Sequence, residues 1–276
     1  MGIRNILVVS DLHCGSIYGL LPEGFVTADA GGINQNPGQK YLWECWQHLA
    51  GEVAKLDIHA VVVNGDAIDG EQRKSKGDEL CVRLHDQPKA AIQCLKVLGD
   101  KLKAPKWYFV TGTPYHEVMP EVEVIAEGLK GVPYTGAGPG RLTRRTLDLD
   151  IDGVVVNFHH GIPGGGGNMY RATAIDKEAM FSALAGKQGK LPKADAVVRS
   201  HLHFFAAVQH TDKWAVITPC WELQTGYMSK NSPYRMLPDI GAVVISVDPE
   251  AKRAGEDPIG LRKFIYKLPP VKVTKL

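Results

Sequence analysis

Hydrophobic residues in the first half of the chain fall in short continuous runs that end in polar residues. Runs of this kind cover 3–10, 59–63 and 107–110, a pattern typical of strands buried on both faces of a sheet. Between the runs, apolar positions at helical spacing predict a helix that begins at Asn36-Pro37 and another over 88–102. Alternating strands and helices predict a parallel sheet, whose ligand sites lie beyond the carboxyl ends of the strands.

The second half of the chain predicts a second, more antiparallel sheet. After a helical stretch over 122–129, two strands flank a hairpin-like turn, and one further helix is predicted over 172–184. Residues 14–38 have no sustained period and are rich in turn residues, which predicts a long surface loop. The chain is therefore expected to form one α/β domain over 1–276. The strands predicted in this half are 142–149, 154–158, 196–200, 204–209, 214–218 and 242–247.

Composition is that of an ordinary globular protein. The 276 residues are 44% hydrophobic and 22% charged, which excludes a disordered chain or a disulfide scaffold. A net charge of +2 gives no strong field toward nucleic acid or an anionic membrane. The five cysteines contain no CxxC pair, and the apolar run at the N-terminus is too short for a signal peptide or a membrane span. We therefore expect a cytoplasmic protein with no membrane partner.

Asp and His residues follow the predicted strands at five places. Taken singly, an Asp after a strand is a turn or helix cap and a His is a solvated loop residue. Two such residues spaced two apart can point to one side of a segment, and a carboxylate with several imidazoles suits a divalent metal ion. The ordered series therefore favours a metal site. Its members are Asp11 and His13, Asp66, His116, His159 and His160, and His201 and His203.

The series SDLHCG, NGDAID, TGTPYHE, FHHG and SHLH resembles, over residues 6–203, the five motifs of the calcineurin-like metallophosphoesterases. The resemblance implies a four-layer α/β/β/α sandwich with two mixed sheets flanked by helices. It also implies a hydrolase that cleaves phosphomono- or phosphodiester bonds with a metal-bound hydroxide at a dinuclear site. Two divalent ions are expected, manganese first, with iron, zinc, nickel or magnesium as alternatives.

The resemblance further implies a role for each matching residue. Asp69 corresponds to a carboxylate that orients a neighbouring histidine, although a solvated residue at a helix start is the alternative. His160 is the expected ligand of the fourth motif, with His159 as its alternative. One ion would be held by Asp11, His13, Asp66 and His203, and the other by Asp66, His160 and His201, with Asp66 bridging.

The third motif departs from the family pattern. The family has Gly-Asn-His followed by an acid, whereas this chain has Gly112-Thr113-Pro114-Tyr115-His116-Glu117. The second ion thus lacks its amide ligand, and either Thr113 or water would take that position. His116 still suits general acid catalysis, with Glu117 orienting it, and a plain loop histidine is the alternative.

Other functions remain open at this stage. A nuclease of the same superfamily would need a basic groove, which the net charge neither shows nor forbids. A non-catalytic binding module on the same fold and a metal-binding protein without turnover are further alternatives. Gly70 stands where phosphoprotein phosphatases carry Arg, which argues against a protein phosphatase of that branch. A phosphate ester is therefore the expected substrate, with nucleic acid as an alternative.

Overall fold

The described residues form two β-sheets and six α-helices. A computed structural model describes residues 2–29, 31–71, 79–117, 119–134, 140–163, 170–230, 234 and 236–268. The strands are β1 (Arg4–Val9), β2 (Ile58–Asn64), β3 (Lys106–Val110), β4 (Thr143–Arg144), β5 (Thr146–Ile151), β6 (Val154–His159), β7 (Ala196–Arg199), β8 (Ala206–His210), β9 (Lys213–Ile217), β10 (Ile240–Val247) and β11 (Ile259–Tyr266). The helices are α1 (Pro37–Val53), α2 (Gln87–Gly99), α3 (Met119–Gly128), α4 (Arg171–Lys187), α5 (Gly226–Ser229) and α6 (Pro249–Arg253).

Both sheets are mixed. In the first, with order β11-β10-β1-β2-β3-β4, strands β1 to β4 are parallel while β10 and β11 add antiparallel pairs at one edge. In the second, with order β5-β6-β7-β9-β8, strand β7 is parallel to both β6 and β9. The expectation of an antiparallel second half is therefore wrong for the centre of this sheet. Helix α4 connects β6 to β7, and a connection of that length allows parallel pairing.

Three hydrophobic cores separate four layers. On β1, Leu7 packs in one cluster with α1, α2 and α3, whereas its neighbour Val8 packs in the cluster between the sheets. On the far side of the second sheet, Ile175 of α4 packs against Val197 and Ala215. The order is helices, first sheet, second sheet and helix, which confirms the predicted α/β/β/α sandwich.

Helix α1 begins where the sequence predicts. The Asn36 side chain accepts the backbone N–H of Gln39 at 2.9 Å, and the Gln39 side chain accepts that of Asn36 at 3.1 Å. This reciprocal capping box satisfies two backbone donors that the first turn leaves unpaired. Asn36 Nδ2 also donates to Ile17 O at 2.7 Å, which ties the helix to the preceding loop.

The first part of the predicted loop 14–38 is not at the surface, since residues 14–22 are mostly buried, whereas the described residues of 26–38 are exposed or half-buried as expected. Leu20, Leu21 and Phe25 are at most 1% exposed and belong to the same core as α1. Backbone bonds from Leu20 N to Leu12 O hold the segment against the end of β1. Its apolar side chains lack a helical or strand period, so the sequence pattern does not reveal their burial.

The predicted strand 142–149 is divided between the two sheets. Thr143 and Arg144 pair with β3, whereas Thr146 begins the strand that pairs with β6. The crossing point at Arg145 lies in a run of four polar residues, 143–146, that contains no Gly or Pro, so no turn signal marks it. The chain therefore changes sheets within a single residue.

Among the helices in the described ranges, none combines the length and the apolar composition that a bilayer span requires.

We expect Asn36→Ala to lower the free energy of unfolding by about 1 to 2 kcal/mol, because it removes a helix cap and the bond to Ile17. Asn36→Asp keeps the oxygen that accepts from Gln39 but loses the donor to Ile17, so its loss should be smaller. Chemical denaturation of both variants measures the difference. Equal losses would contradict a stabilising role of the cap.

Candidate metal centre

The carboxyl ends of four strands meet at one edge of the sandwich. Strands β1 and β2 are parallel neighbours in the first sheet, and β6 and β7 are parallel neighbours in the second. Parallel neighbours place their carboxyl ends at the same edge, so the residues that follow them come together. These residues are Asp11 and His13 after β1, Asp66 after β2, His160 after β6, and His201 and His203 after β7.

Backbone strain is concentrated at these residues. The φ angle is 52° at Asp11, 45° at His13, 50° at Asp66, 71° at His201 and 58° at His203. In the part of the chain that is described, only three other residues besides glycines have positive φ. This conformation costs about 1 to 3 kcal/mol per residue and clusters at functional sites.

Buried hydroxyl groups join the two sheets beneath the candidate ligands. Ser10 Oγ lies 2.8 Å from Thr218 Oγ1, which lies 2.7 Å from Ser200 Oγ. Asn64 Nδ2 donates to Ser200 Oγ at 2.7 Å. Ser10 and Asn64 belong to the first sheet side and the other two to the second, so these bonds fix the spacing of the sheets next to the site.

The first group of candidate ligands consists of Asp11, His13 and His203. One ligand atom from each lies within 4.8 Å of the others. His203 Nε2 is 3.3 Å from Asp11 Oδ1 and 3.3 Å from His13 Nε2. All three residues are buried, so their polar atoms face one another rather than bulk water.

The second group consists of Asp66, His160 and His201, again with ligand atoms within 4.8 Å of one another. His160 Nε2 lies 2.9 Å from Asp66 Oδ2 and 3.9 Å from Asp11 Oδ1, so His160 also links the two groups. His160 Nδ1 donates to Asn64 O at 2.8 Å. The expected bridging by Asp66 stays a prediction.

His159 lies outside this cluster. Its Nδ1 atom is 2.9 Å from Arg145 O and 3.1 Å from Thr146 Oγ1, on the paired strand β5. His160, the next residue, is 1% exposed and faces Asp66. The geometry therefore favours His160 over His159 as a ligand.

Asp69 connects two histidines at the rim of the site. Its carboxylate accepts the Nδ1–H of His13 at 2.9 Å and lies 3.3 Å from His116 Nδ1. His116 Nδ1 also donates to Asp69 O at 3.0 Å. The expected contact between Asp69 and a ligand histidine is present, and the catalytic roles of Asp69 and His116 stay predictions.

Thr113 and Glu117 stabilise the site through hydrogen bonds that backbone N–H groups donate to carboxylates. The N–H of Thr113 donates to Asp66 Oδ1 at 2.7 Å, and its Oγ1 lies 3.2 Å from both oxygens of that carboxylate. Glu117 accepts the backbone N–H of Ala67 at 2.7 Å and that of Gly112. The expectation that Glu117 orients His116 is therefore not met, since Glu117 binds backbone amides and Asp69 contacts the ring.

Glu222 is a buried residue of the site that the motifs do not include. Its Oε2 atom lies 3.5 Å from His203 Nδ1 and 3.8 Å from His13 Nε2. The N–H of the preceding residue, Trp221, donates to Asp11 O at 2.9 Å and fixes this segment against the end of β1. Glu222 follows no strand-end motif, so the sequence carries no local signal for it.

Histidines oppose the effect of burial on the carboxylates. Burial raises the pKa of Asp11, but His160 and His203 outweigh it and lower the pKa to about 2. The pKa of Asp66 is lowered further, again against burial, chiefly by His160. Burial also raises the pKa of Asp69, and hydrogen bonds from His116 and His13 lower it to about 2. The carboxylates are thus held in their ionised form.

The pKa values of His116, Glu117 and Glu222 are all raised. Burial lowers the pKa of His116, but Asp69 and Asp66 raise it to about 9. Burial itself raises the pKa of Glu117 to about 7, with a further contribution from Asp66. Burial, followed by Asp69, raises the pKa of Glu222 well above its usual range. The acids nearest the centre are thus ionised, whereas burial disfavours ionisation of Glu117 and Glu222, each of which keeps a carbonyl oxygen that accepts a hydrogen bond in either protonation state.

The residues present fit divalent metal ions. Asp11 Oδ1 and His203 Nδ1 are buried and make no hydrogen bond within the described part of the chain. Buried polar atoms without hydrogen bonds are rare in native structures, and such atoms mark a position for a water molecule or an ion. Mixed carboxylate and imidazole donors suit transition-metal ions, whereas calcium prefers oxygen alone.

Among the comparisons with known proteins, only the comparison with solved structures gives matches. No family model matches the chain, and no curated protein does either. An archaeal phosphodiesterase is 12% identical over 95% of this chain and 100% of its own, with a TM-score of 0.46. A conserved protein of Streptococcus pneumoniae, described as a predicted phosphoesterase, is 11% identical over 90% and 85%, with a TM-score of 0.38. Zinc-bound Vps29 of Entamoeba histolytica is 12% identical over 95% and 99%, with a TM-score of 0.42.

Two of these three neighbours have the names of phosphoesterases.

We expect Gly112→Ala to displace the Asp66 side chain, because a Cβ atom at position 112 would collide with the Asp66 carboxylate and amide nitrogen. Gly51→Ala is the matched control, since its Cβ atom meets nothing within 4 Å and lies in α1, where Ala is favoured by about 1 kcal/mol. Thermal unfolding and calorimetric titration with Mn²⁺ measure both variants. A Gly112→Ala protein with wild-type melting temperature and Mn²⁺ affinity would contradict this expectation.

Proposed function

We propose that the protein is a metal-dependent phosphoesterase that hydrolyses phosphomono- or phosphodiesters at a site for two divalent ions. The supporting observation is the pair of adjacent Asp-His groups at the strand ends, linked by the 3.9 Å approach of His160 Nε2 to Asp11 Oδ1. Asp11, His13 and His203 would hold one ion, and Asp66, His160 and His201 the other.

When bound, two neighbouring divalent ions would supply Lewis-acid charge for a phosphate group and for the attacking water. The chain supplies the negative charge that balances them, from Asp11 and Asp66. Asp69 and Asn64 O accept the Nδ1 protons of His13 and His160, which turns the Nε2 atom of each ring toward the cluster.

His116 is the proposed general acid. Its side chain is 19% exposed, so it lies at the boundary between the buried ligands and solvent, where a substrate can reach it. Its Nδ1 atom is occupied by Asp69 O, which leaves Nε2 as the atom that donates a proton to the leaving oxygen. Asp69 contacts both His116 and His13, and so holds the acid in a fixed position relative to the first ligand group.

The two ions are proposed to bind unequally. The family pattern provides an Asn at the position of Thr113, and here the N–H of Thr113 donates to Asp66 Oδ1 instead. The second ion would thus have Asp66, His160 and His201 but no amide oxygen. Fewer ligands favour weaker or more metal-selective binding at that position.

The test is hydrolysis of p-nitrophenyl phosphate and bis-p-nitrophenyl phosphate by metal-stripped protein with Mn²⁺, Fe²⁺, Zn²⁺, Ni²⁺ or Mg²⁺ added back. We expect turnover that requires metal and is lost in Asp66→Asn, which removes the charge that pairs with His160. Asp152→Asn is the matched control, because Asp152 is exposed in the β5-β6 turn. The ratio of the two rates distinguishes a monoesterase from a diesterase.

Metal binding without turnover for any ion would contradict the proposal and favour a binding module on this fold. Cleavage of DNA that weakens steeply with salt, in place of small-ester hydrolysis, would instead indicate a nuclease.

We expect His116→Ala to lower the rate of ester hydrolysis about 10² to 10⁴-fold, because it removes the proton donor to the leaving oxygen. His85→Ala is the matched control, since His85 is 54% exposed and pairs only with Asp86 among the contacts described. Calorimetry with Mn²⁺ should give unchanged stoichiometry for both variants. Loss of bound Mn²⁺ in His116→Ala would show that His116 is a ligand rather than the acid.

A further inference from the structure

Glu222 is a buried carboxylate beside the first ligand group. Its side chain is 3% exposed, and Oε2 lies 3.5 Å from His203 Nδ1. The side chain of Ser16 also hydrogen-bonds to Glu222. Glu222 is thus held next to one ring nitrogen of His203 by contacts outside the five motifs.

The candidate ligand histidines differ in whether their Nδ1 atom has a hydrogen-bond partner. His13 Nδ1 donates to the Asp69 carboxylate and His160 Nδ1 donates to Asn64 O. Because carboxylate and carbonyl oxygens only accept, both rings carry a proton on Nδ1, and Nε2 is the nitrogen that faces the ligand cluster. His203 Nδ1 makes no hydrogen bond in the described ranges, and Glu222 is the carboxylate that faces it.

We propose that Glu222 is a positioning residue that accepts the Nδ1 proton of His203 and so directs His203 Nε2 toward the ion shared with Asp11 and His13. This inference rests on the proposed metal site. The 3.5 Å separation is longer than a formed hydrogen bond, and contacts of this kind shorten when the site is loaded.

The two tautomers of His203 have opposite consequences. With the proton on Nδ1, the Nε2 lone pair points to Asp11 Oδ1 and His13 Nε2, each 3.3 Å away, and three acceptors converge on one position that a cation can fill. With the proton on Nε2, that position is blocked and the Nδ1 lone pair faces the Glu222 oxygens. An acceptor at Glu222 therefore selects the tautomer that can bind metal.

Glu222 is a poorer candidate for a direct ligand. Asp11, His13 and His203 offer ligand atoms within 4.8 Å of one another, and Glu222 is not a member of any such group in the described residues. Its 3.8 Å distance to His13 Nε2 exceeds its distance to His203 Nδ1. A metal-ligating histidine nearly always donates its other N–H to an acceptor, and Glu222 is placed for that task.

The experiment compares Glu222→Leu, which removes the acceptor at similar size, with Glu222→Gln, which keeps an oxygen. Glu44→Gln, at an exposed acid of α1, controls for the loss of one charge. Calorimetric titration with Mn²⁺ should show a loss of about 10 to 100-fold in affinity for one ion in Glu222→Leu and a smaller loss in Glu222→Gln.

Imidazole ¹⁵N NMR of the metal-free protein gives a readout independent of activity. In Glu222→Leu the ring signals of His203 should move toward the Nε2–H tautomer, while those of His160, whose Nδ1 is held by Asn64 O, stay unchanged. If Glu222→Leu does not fold, the same shift measured in Glu222→Gln decides, since the amide can also turn its NH₂ toward His203.

Unchanged affinity with unchanged His203 signals would overturn the proposal. Loss of one whole ion from the stoichiometry with unchanged ring signals would show that Glu222 is a ligand and would overturn the positioning role. A wild-type protein that binds no divalent ion would instead refute the proposed function. In that case the tautomer shift still decides whether Glu222 positions His203.

Discussion

The carboxylate of Asp66 lies where the two sheets meet, and its burial is the constraint on which the site depends. Asp66 is 1% exposed, and an isolated buried charge costs several kcal/mol. The cost is offset by the N–H of Thr113 and by His160, which belong to segments following different sheets. Gly112 must lack a side chain for these contacts to form. The hydrophobic cores thus hold the strand ends at a spacing that lets the buried Asp66 carboxylate contact both Thr113 and His160.

Local signals in the sequence predict the helices and strands well, but they predict the surroundings of these elements poorly. The start of α1 follows from Asn36-Pro37, because a helix cap involves only residues within one turn of each other. The burial of Leu20 and Phe25 depends on contacts with α1, and the sheet change at Arg145 depends on which strand is nearby in space. Neither feature is indicated by a regular period or by a turn residue in the local sequence.

The candidate ligands show the same limit at a finer scale. Motif order identifies the strand ends and favours His160 as the ligand, with His159 left as an alternative. The pleat of β6 separates them, because Val154 and Phe158 face the core between the sheets and His160 continues that alternation. The alternation of core-facing residues along β6 is therefore a sequence signal that favours His160 as the ligand. Glu222 has no such signal, since it reaches the site from a loop between β9 and α5.

The third motif shows how a departure from a pattern can preserve one part of a site and change another. The two additional residues before His116 form a turn in which the N–H groups of His116 and Glu117 both donate to Thr113 O, at 3.1 and 2.8 Å. This turn takes up the extra length, so His116 still contacts Asp69. The Asn side chain is replaced by Thr113, whose N–H binds Asp66 directly. His116 therefore keeps a contact with Asp69 despite the altered motif, and the departure changes the contacts of Asp66 instead.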